Sequence, residues 1–295
     1  MDASISNKPA RALVFGASGQ IGRALLATLL GQGWAVTAVS REPQEKTPGI
    51  AWVLGDFHAC WEGPRQFDAV FSCGPLNHFV TWFTQGPLQV SHVVAFSSTS
   101  AQVKQHSQER AERDLAADLS ASEQDLMRYC RGRRVSATIL RPTLIWGSGR
   151  DLTVSRIAKL GKRRRLFVVP ANASGLRQPV HVQDLADAAA GVVNHPACSG
   201  QVYDLPGGET LSYLEMVRRI QLAMPSPPPL LQVPDRLFSA VVWVAQCWGK
   251  LPGVSQATLH RMECNLVFDI GPAQRDFGYA PRGFSPSVAE LGLDQ

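Results

Sequence analysis

The sequence predicts an α/β fold, a doubly wound parallel sheet with helices on both faces. Three observations carry this. Short apolar runs recur at Ala12–Phe15, Ala35–Val39, Trp52–Leu54, Ala69–Ser72, Val93–Phe96 and Val135–Leu140. They are apolar without alternation, as strands buried on both faces are. Helical stretches lie between them, among them Ile21–Leu30 and Ser107–Cys130 with Leu115, Leu119 and Leu126. Strands alternating with helices at this pace make βαβ units. Finally, the first strand runs into a glycine-rich turn that opens a helix.

That turn reads Gly16-Ala17-Ser18-Gly19-Gln20-Ile21-Gly22. Gly16 permits a tight turn, Gly19 lets the backbone approach a pyrophosphate, and Gly22 lets the helix pack closely. The helix start offers unpaired N–H groups and the positive end of its dipole to an anion. Glycines so spaced, between a strand and a helix and followed by a second strand, predict a dinucleotide site on a Rossmann-type sheet. The second strand ends Val39-Ser40-Arg41, with no acid before Glu42. An acid there would hold ribose hydroxyls, whereas an arginine forks onto a 2′-phosphate. Arg41 therefore favours NADP, with NAD as the alternative.

The second half reads as a helix (Thr153–Leu160), a strand (Leu166–Val169), a helix (His181–Asn194), a strand (Val202–Asp204) and a helix (Tyr213–Met224). Pro225, Pro227, Pro228, Pro229 and Pro234 then break the chain into an extended connector. Arg236–Gly249 reads as a helix bearing Phe238, Trp243 and Trp248, and the tail from Phe268 as short elements and turns. The expected division is a dinucleotide-binding part over 11–150, with further sheet and helix elements from 177–205. The rest of 151–295 is mainly a smaller part covering a substrate cleft.

Composition narrows the function classes. Of 295 residues, 45% are hydrophobic and 18% charged, which excludes a disordered chain, a collagen-like repeat and a coiled coil. The net charge of +5 is spread out, so no nucleic-acid partner is expected. The run Lys162-Arg163-Arg164-Arg165 has no interleaved aromatics and reads as a solvated loop. No apolar run reaches the roughly 18 residues a membrane helix needs. The polar start MDASISNKPAR has no secretory pattern, and the cysteines at 60, 73, 130, 198, 247 and 264 form no C-x-x-C pair. They read as small buried hydrophobes in a reducing compartment, the cytoplasm, and no metal site is expected.

Several segments together resemble the short-chain dehydrogenase/reductase superfamily, in its extended, epimerase/dehydratase-like form. The glycine spacing is that superfamily's. Gly55-Asp56-Phe57 resembles its Gly-Asp-Leu, and Ser72-Cys73-Gly74-Pro75 stands where its fourth strand ends over the cofactor. Phe96-Ser97-Ser98-Thr99-Ser100 resembles its Ser-Ser-Ser/Thr stretch, and Leu140-Arg141-Pro142 opens a segment like Leu-Arg-Pro-x-x-x-Tyr-Gly. Arg177 to Ala186 and Phe277 to Pro281 resemble two further motifs of the extended type. The resemblance implies cofactor contacts from Gly16, Ser18, Gly19, Gln20, Ile21, Gly22, Ser40, Arg41, Asp56, Phe57, Cys73, Gly74, Pro75, Ser97 and Pro142. It implies substrate contacts from Thr99 and Arg177, with Thr99 also at the catalytic hydroxyl's place.

One departure bears on the chemistry. The family uses Tyr-x-x-x-Lys on the helix after its fifth strand, commonly with a glutamate four residues later. With Glu123 at the glutamate, Leu119 takes the lysine's place and Leu115 the tyrosine's. The chain thus resembles atypical members that keep the cofactor loop and lose the acid/base pair. Lys104 and His106, just after Thr99, are candidate replacement proton donors. His181 and Asp184 match structural members of their motif, Asp184 as the expected N-cap of the following helix. Two readings stay open: an NADP-dependent oxidoreductase or epimerase/dehydratase on a small substrate, nucleotide-linked ones included, and a non-catalytic NADP-binding sensor or assembly subunit. A homodimer is the expectation from the resembled family.

Overall fold

The computed structural model describes residues 8–57, 61–86, 88–234, 238 and 262–294. Its centre is a seven-stranded parallel sheet built from β1 (Arg11–Phe15), β2 (Ala35–Ser40), β3 (Ile50–Leu54), β4 (Gln66–Ser72), β5 (Gln89–Phe96), β6 (Ser136–Pro142) and β11 (Gln201–Leu205). The spatial order is β11-β6-β5-β4-β1-β2-β3. The chain builds outward from β1 to β3, then crosses back to β4 and builds the other way. The reversal lies between β1 and β4, and the crevice beyond their C-terminal ends is where open α/β sheets take ligands.

Strand alternation splits the core into two layers. Ala12 and Val14 face one side with α1 (Gln20–Gly31) and α6 (Val182–Val192). Leu13 and Phe15 face the other with α2 (Leu76–Gln85) and α4 (Arg110–Arg133). On α1 the buried residues Ile21, Leu25, Leu26 and Leu29 recur at three- and four-residue steps, one apolar stripe. Each such side chain contributes roughly 1.5–3 kcal/mol on burial.

A third core lies in the C-terminal half. Trp146 from β7 (Ile145–Trp146), α5 (Val154–Arg164), β8 (Phe167–Pro170), α7 (Tyr213–Leu222) and Phe284 build it. Three short strands complete this half: β9 (Leu176–Arg177), β10 (Val180–His181) and β12 (Leu211–Ser212).

The proline-rich stretch differs from the expected connector. Leu230–Val233 forms a strand, β13, parallel to β8, because the prolines stop where it begins and Leu230 to Val233 all carry the N–H a ladder needs. The tail contains a further short helix, α8 (Gly271–Phe277). The helix expected over 236–249, with Trp243 and Trp248, lies outside the described residues except at residue 238. Phe238 donates its N–H to the Pro234 carbonyl.

The N-cap of α6 is His181, not Asp184. Its Nδ1 accepts the N–H of Gln183 at 3.1 Å. Asp184 lies in the first turn and holds Arg282, accepting its Nε and its backbone N–H at 2.8 and 2.9 Å. A carboxylate with a guanidinium available gains more from that pair than from a cap.

Candidate cofactor cradle and substrate cavity

The glycine loop folds as a cradle. Gly16 has φ +68°, and a Cβ there would lie 2.8–2.9 Å from the backbone of Cys73 and Gly74. A Cβ on Gly22 would lie 2.2 Å from the Gly16 carbonyl oxygen and 2.7 Å from the Ala17 Cα. Gly22 thus lets α1 pack on the loop itself, more than on the sheet. The turn closes with the Gly19 N–H donating to the Gly16 carbonyl at 3.0 Å. Gly19 is the N-cap of α1 without a side-chain cap bond, so the first-turn N–H groups of Gln20, Ile21 and Gly22 have no intrahelical partners. This donor set fits a dinucleotide's pyrophosphate. Cys73 ties the loop to the switch point, donating its N–H to the Phe15 carbonyl at 2.9 Å. Burial pushes its thiol up to about 12, so it stays protonated at neutral pH.

Around the cradle, the side chain of Ile21 points into the core. Gln20 Oε1 accepts from Ser148 Oγ at 3.1 Å, linking the helix start to the segment after β7. Ser18 and Ser40 hydroxyls meet at 3.4 Å, and Ser40 Oγ accepts the Glu42 N–H. Arg41 is exposed at the end of β2, and among the described residues it holds no hydrogen bond or ion pair. Arg23, which the sequence reading passed over, holds the Ser18 carbonyl at 3.0 Å and reaches Gln44.

Beyond β2 and β3 opens a cavity of about 290 Å³ lined by Val39, Gly55, Asp56 and Trp61. Trp61 was also missed. It is fixed by its indole N–H on the Pro64 carbonyl at 2.7 Å. Phe57 stacks on Phe15 at 5.1 Å and closes against Gly74. Pro75 is the N-cap of α2.

A second cavity, about 260 Å³, lies beyond the ends of β5 and β6. Ser98, Thr99, Lys104, Thr143, Arg177 and Gln178 contribute its polar wall. Thr99 is buried, and its Oγ1 donates to the Pro142 carbonyl at 3.2 Å, with its N–H on the same oxygen. With its proton directed there, the hydroxyl accepts from a ligand rather than donates. Arg177 is buried, donates to the carbonyls of Leu176 and Cys264 at 2.7 and 2.8 Å, and lies 5.6 Å over the Tyr213 ring. Ser97 turns away from this cavity and donates to Glu123 at 2.5 Å. Glu123 also accepts Arg141 Nε at 2.8 Å, and Arg141 reaches toward Asp204. The Glu123 hydrogen bond holds the Arg141 guanidinium above its ordinary range, while burial raises the Asp204 carboxyl.

The α4 residues differ in burial. Glu112, Ala116, Glu123 and Leu126 are buried, whereas Leu115 is 42% exposed and Leu119 is half-buried. His106 is exposed. Lys104 lines the cavity and pairs with Glu112 at 3.2 Å. The basic run is not a loop: Lys162, Arg163 and Arg164 form the last turn of α5, where cations meet the negative end of the helix dipole, and Lys162 donates to the Leu293 carbonyl at 2.7 Å. Among the described residues Cys73, Cys130, Cys198 and Cys264 form no disulfide. None of the described helices is long and apolar enough to cross a membrane, and no three described His, Cys, Asp or Glu cluster as metal ligands would.

The chain is similar to several known proteins. Residues 12–85 match the model of the NAD dependent epimerase/dehydratase family. The chain is 22% identical to the UDP-glucose 4-epimerase of Vibrio cholerae, over 97% of this chain and 94% of that protein. It is 23% identical to the 2-alkyl-3-oxoalkanoate reductase of Stenotrophomonas maltophilia, over 92% of this chain and 94% of the reductase. The fold matches the UDP-glucuronic acid 4-epimerase of Bacillus cereus, solved in complex with NAD, with a TM-score of 0.68 at 12% identity over 96% of this chain and 95% of that one.

Proposed function

From a chain that belongs to the extended short-chain dehydrogenase/reductase superfamily, of the epimerase/dehydratase type, we propose an NADP-preferring oxidoreductase or epimerase-like enzyme that acts on a small carbonyl or hydroxyl substrate without Tyr-x-x-x-Lys. The observation that carries the proposal is the continuity of two features. A pyrophosphate cradle lies at the β1/β4 switch point, and a polar cavity lies beyond the ends of β5 and β6, along the same edge of one sheet.

The dinucleotide supplies a hydride donor or acceptor when bound. The N–H groups at the start of α1 and the loop held by Arg23 bind its phosphates. Asp56 and Trp61 bound the cavity suited to its adenine, and Arg41 forks onto a 2′-phosphate. Cys73, Gly74 and Pro75 hold the backbone floor between the two halves. Thr99 accepts a hydrogen bond from the substrate, and Arg177 offers donors for an anionic group, which would suit a nucleotide-linked substrate. The described residues from 151 onward, apart from those returning to the sheet at 177–205, close over this cavity as the substrate-binding part. A homodimer and a cytoplasmic location belong to the same proposal, the latter supported by the described cysteines, which form no disulfide.

Titration of wild type and Arg41→Ala with NADPH and NADH, followed by fluorescence, tests the cofactor half. A charge-assisted hydrogen bond contributes about 1.5–3 kcal/mol. The variant should therefore bind NADPH about 10- to 100-fold more weakly, with NADH affinity unchanged. Equal losses for both, or for neither, would remove the NADP preference.

Leu115 and Leu119 favour a second reading, a protein that holds the dinucleotide as a structural or regulatory ligand. Tight NADPH binding without turnover of any carbonyl or alcohol would select it.

A further inference from the structure

We propose that Lys104 is the proton donor of the substrate cavity, and that the Glu112–Ser107 pair holds it there. The proposal rests on the enzymatic reading above and adds the group that replaces the missing acid.

The argument begins with what a carbonyl reduction needs. The carbonyl carbon takes a hydride from a reduced nicotinamide dinucleotide. The π pair of the C=O bond moves to oxygen, and that oxygen must gain a proton. The product is an alcohol and the oxidised dinucleotide. The donor must touch the oxygen, carry a proton at neutral pH, and leave a conjugate base that water reprotonates.

Few groups in the cavity wall qualify. Thr99 directs its hydroxyl proton to the Pro142 carbonyl, and Thr143 directs its own to the Gln178 carbonyl. Ser98 and Ser100 can donate a hydrogen bond, but their hydroxyls do not release protons in this range. Arg177 stays charged at any working pH. Lys104 is the remaining ionisable side chain among the described residues of the wall. Its ammonium carries three protons, so one can serve Glu112 while another faces the cavity.

The local structure looks built to hold that amine. Lys104 caps α3 (Ser100–Val103), the single turn that begins directly after Thr99. Its backbone N–H donates to the Ser100 carbonyl at 3.1 Å. The chain then turns, with the Ser107 N–H on the Lys104 carbonyl at 3.1 Å, and enters α4. That turn brings Glu112 back over α3. Lys104 Nζ lies 3.2 Å from Glu112 Oε1, and Ser107 Oγ donates to Glu112 Oε2 at 2.7 Å. The carboxylate is thus oriented by one neighbour and presents an oxygen to the other. The side chains are only 22% and 11% exposed, so solvent screens this pair less than a surface pair. The same one-turn segment therefore presents Thr99 as acceptor and Lys104 as donor. After proton transfer the neutral amine regains its proton from water at the cavity mouth.

The test uses the full chain as wild type, Lys104→Met and Lys104→Arg. NADPH affinity is read by fluorescence, and NADPH oxidation is read against a panel of ketones and 3-oxo acids. Lys104 acetylation by acetic anhydride is read by peptide mass with and without the best panel ligand. The expected result is NADPH affinity within about threefold of wild type in both variants, which also shows that they fold. kcat should fall at least about 100-fold in both with KM little changed, since arginine keeps the charge but releases no proton. The ligand should protect Lys104 from acetylation. Wild-type turnover in either variant, or acetylation of Lys104 at an unchanged rate with ligand bound, would overturn the Lys104 assignment and leave the enzymatic reading standing. A wild type that binds NADPH tightly yet oxidises it with no member of the panel would overturn both.

Discussion

Gly22→Ala is the sharpest perturbation of the cofactor cradle, because one methyl group meets backbone on more than one side. The new Cβ would stand 2.2 Å from the Gly16 carbonyl oxygen, 2.7 Å from the Ala17 Cα and 2.8 Å from the Ala17 carbonyl carbon. Real Cβ contacts begin more than 3 Å out, so a separation of about 1 Å must be created. Gly16 has little room to retreat, since its own Cα is backed by the Cys73 and Gly74 backbone and its carbonyl holds the Gly19 N–H. The alternative is to slide α1, whose Ile21, Leu25, Leu26 and Leu29 are locked in the core. Overpacking costs about 1–3 kcal/mol, and a clash with backbone belongs at the upper end. About 3 kcal/mol is roughly two decades in the folding constant. Urea unfolding should show the midpoint fall accordingly, and NADPH should bind at least about tenfold more weakly because the N–H cradle is displaced. Gly31→Ala is the internal control: nothing lies within 4 Å of its added methyl. It should be neutral or stabilising by up to about 1 kcal/mol. If Gly22→Ala unfolded within 0.5 kcal/mol of wild type and kept its NADPH affinity, the reading of this loop as a tightly packed cradle would be wrong.

Other sites give independent expectations. Burial holds the His92 imidazole at about 4, below its ordinary 6.5, beside Thr138 Oγ1 at 2.9 Å. The unfolded chain therefore binds this proton first, so stability is full above about pH 6.5 and falls as pH drops toward 4. A loss of about 2 kcal/mol, allowing for partial screening, should appear in denaturation curves across that window, and His92→Gln should flatten it. Glu123→Gln strips the half-buried Arg141 of its buried carboxylate partner and should destabilise by about 3 kcal/mol. Glu123→Gln with Arg141→Met should lose less than the sum of the singles, and strict additivity in urea midpoints would contradict the coupling. Thr99→Val removes the bond to the Pro142 carbonyl and should cost about 1–2 kcal/mol by thermal unfolding, against a negligible change for Thr99→Ser.

The half of the site that binds a dinucleotide was legible because its determinants are local. Three glycines, a strand before them and a helix after them fix the cradle within twelve residues, and no distant partner is needed to see it. Trp61 and Arg23 were not legible on the same terms. Trp61 lines the cavity beside β3 while its ring packs on Phe15 and Trp82, 46 residues before it and 21 after it in the chain. Arg23 matters because its side chain reaches the carbonyl five residues behind it and Gln44 beyond β2. The same contrast explains the cap of α6. Asp is the commoner capping residue, and sequence alone points to Asp184. What draws Asp184 elsewhere is Arg282, 98 residues on, and no short-range pattern contains that partner. Strand β13 likewise exists through its pairing with β8, which lies on the far side of α6 and α7 in the chain.

The phase of α4 bears on where the acid/base pair of the resembled family would stand. Counting from Glu123 puts the family's tyrosine at Leu115, and the count is a statement about spacing alone. The helix turns 100° per residue, and the buried residues Glu112, Ala116, Glu123 and Leu126 define its inward line. Leu115 lies within the arc between buried Ser122 and Ala116 yet is 42% exposed, and Leu119, nearer the centre of that arc, is half-buried. The first polar group on that line is Glu112, which pairs with Lys104 of the cavity wall at 3.2 Å. The proposed donor, Lys104, thus stands in the turn before α4 and is held from the helix by Glu112, so in that proposal the proton comes from the turn that follows Thr99 and the helix supplies only the carboxylate that positions it.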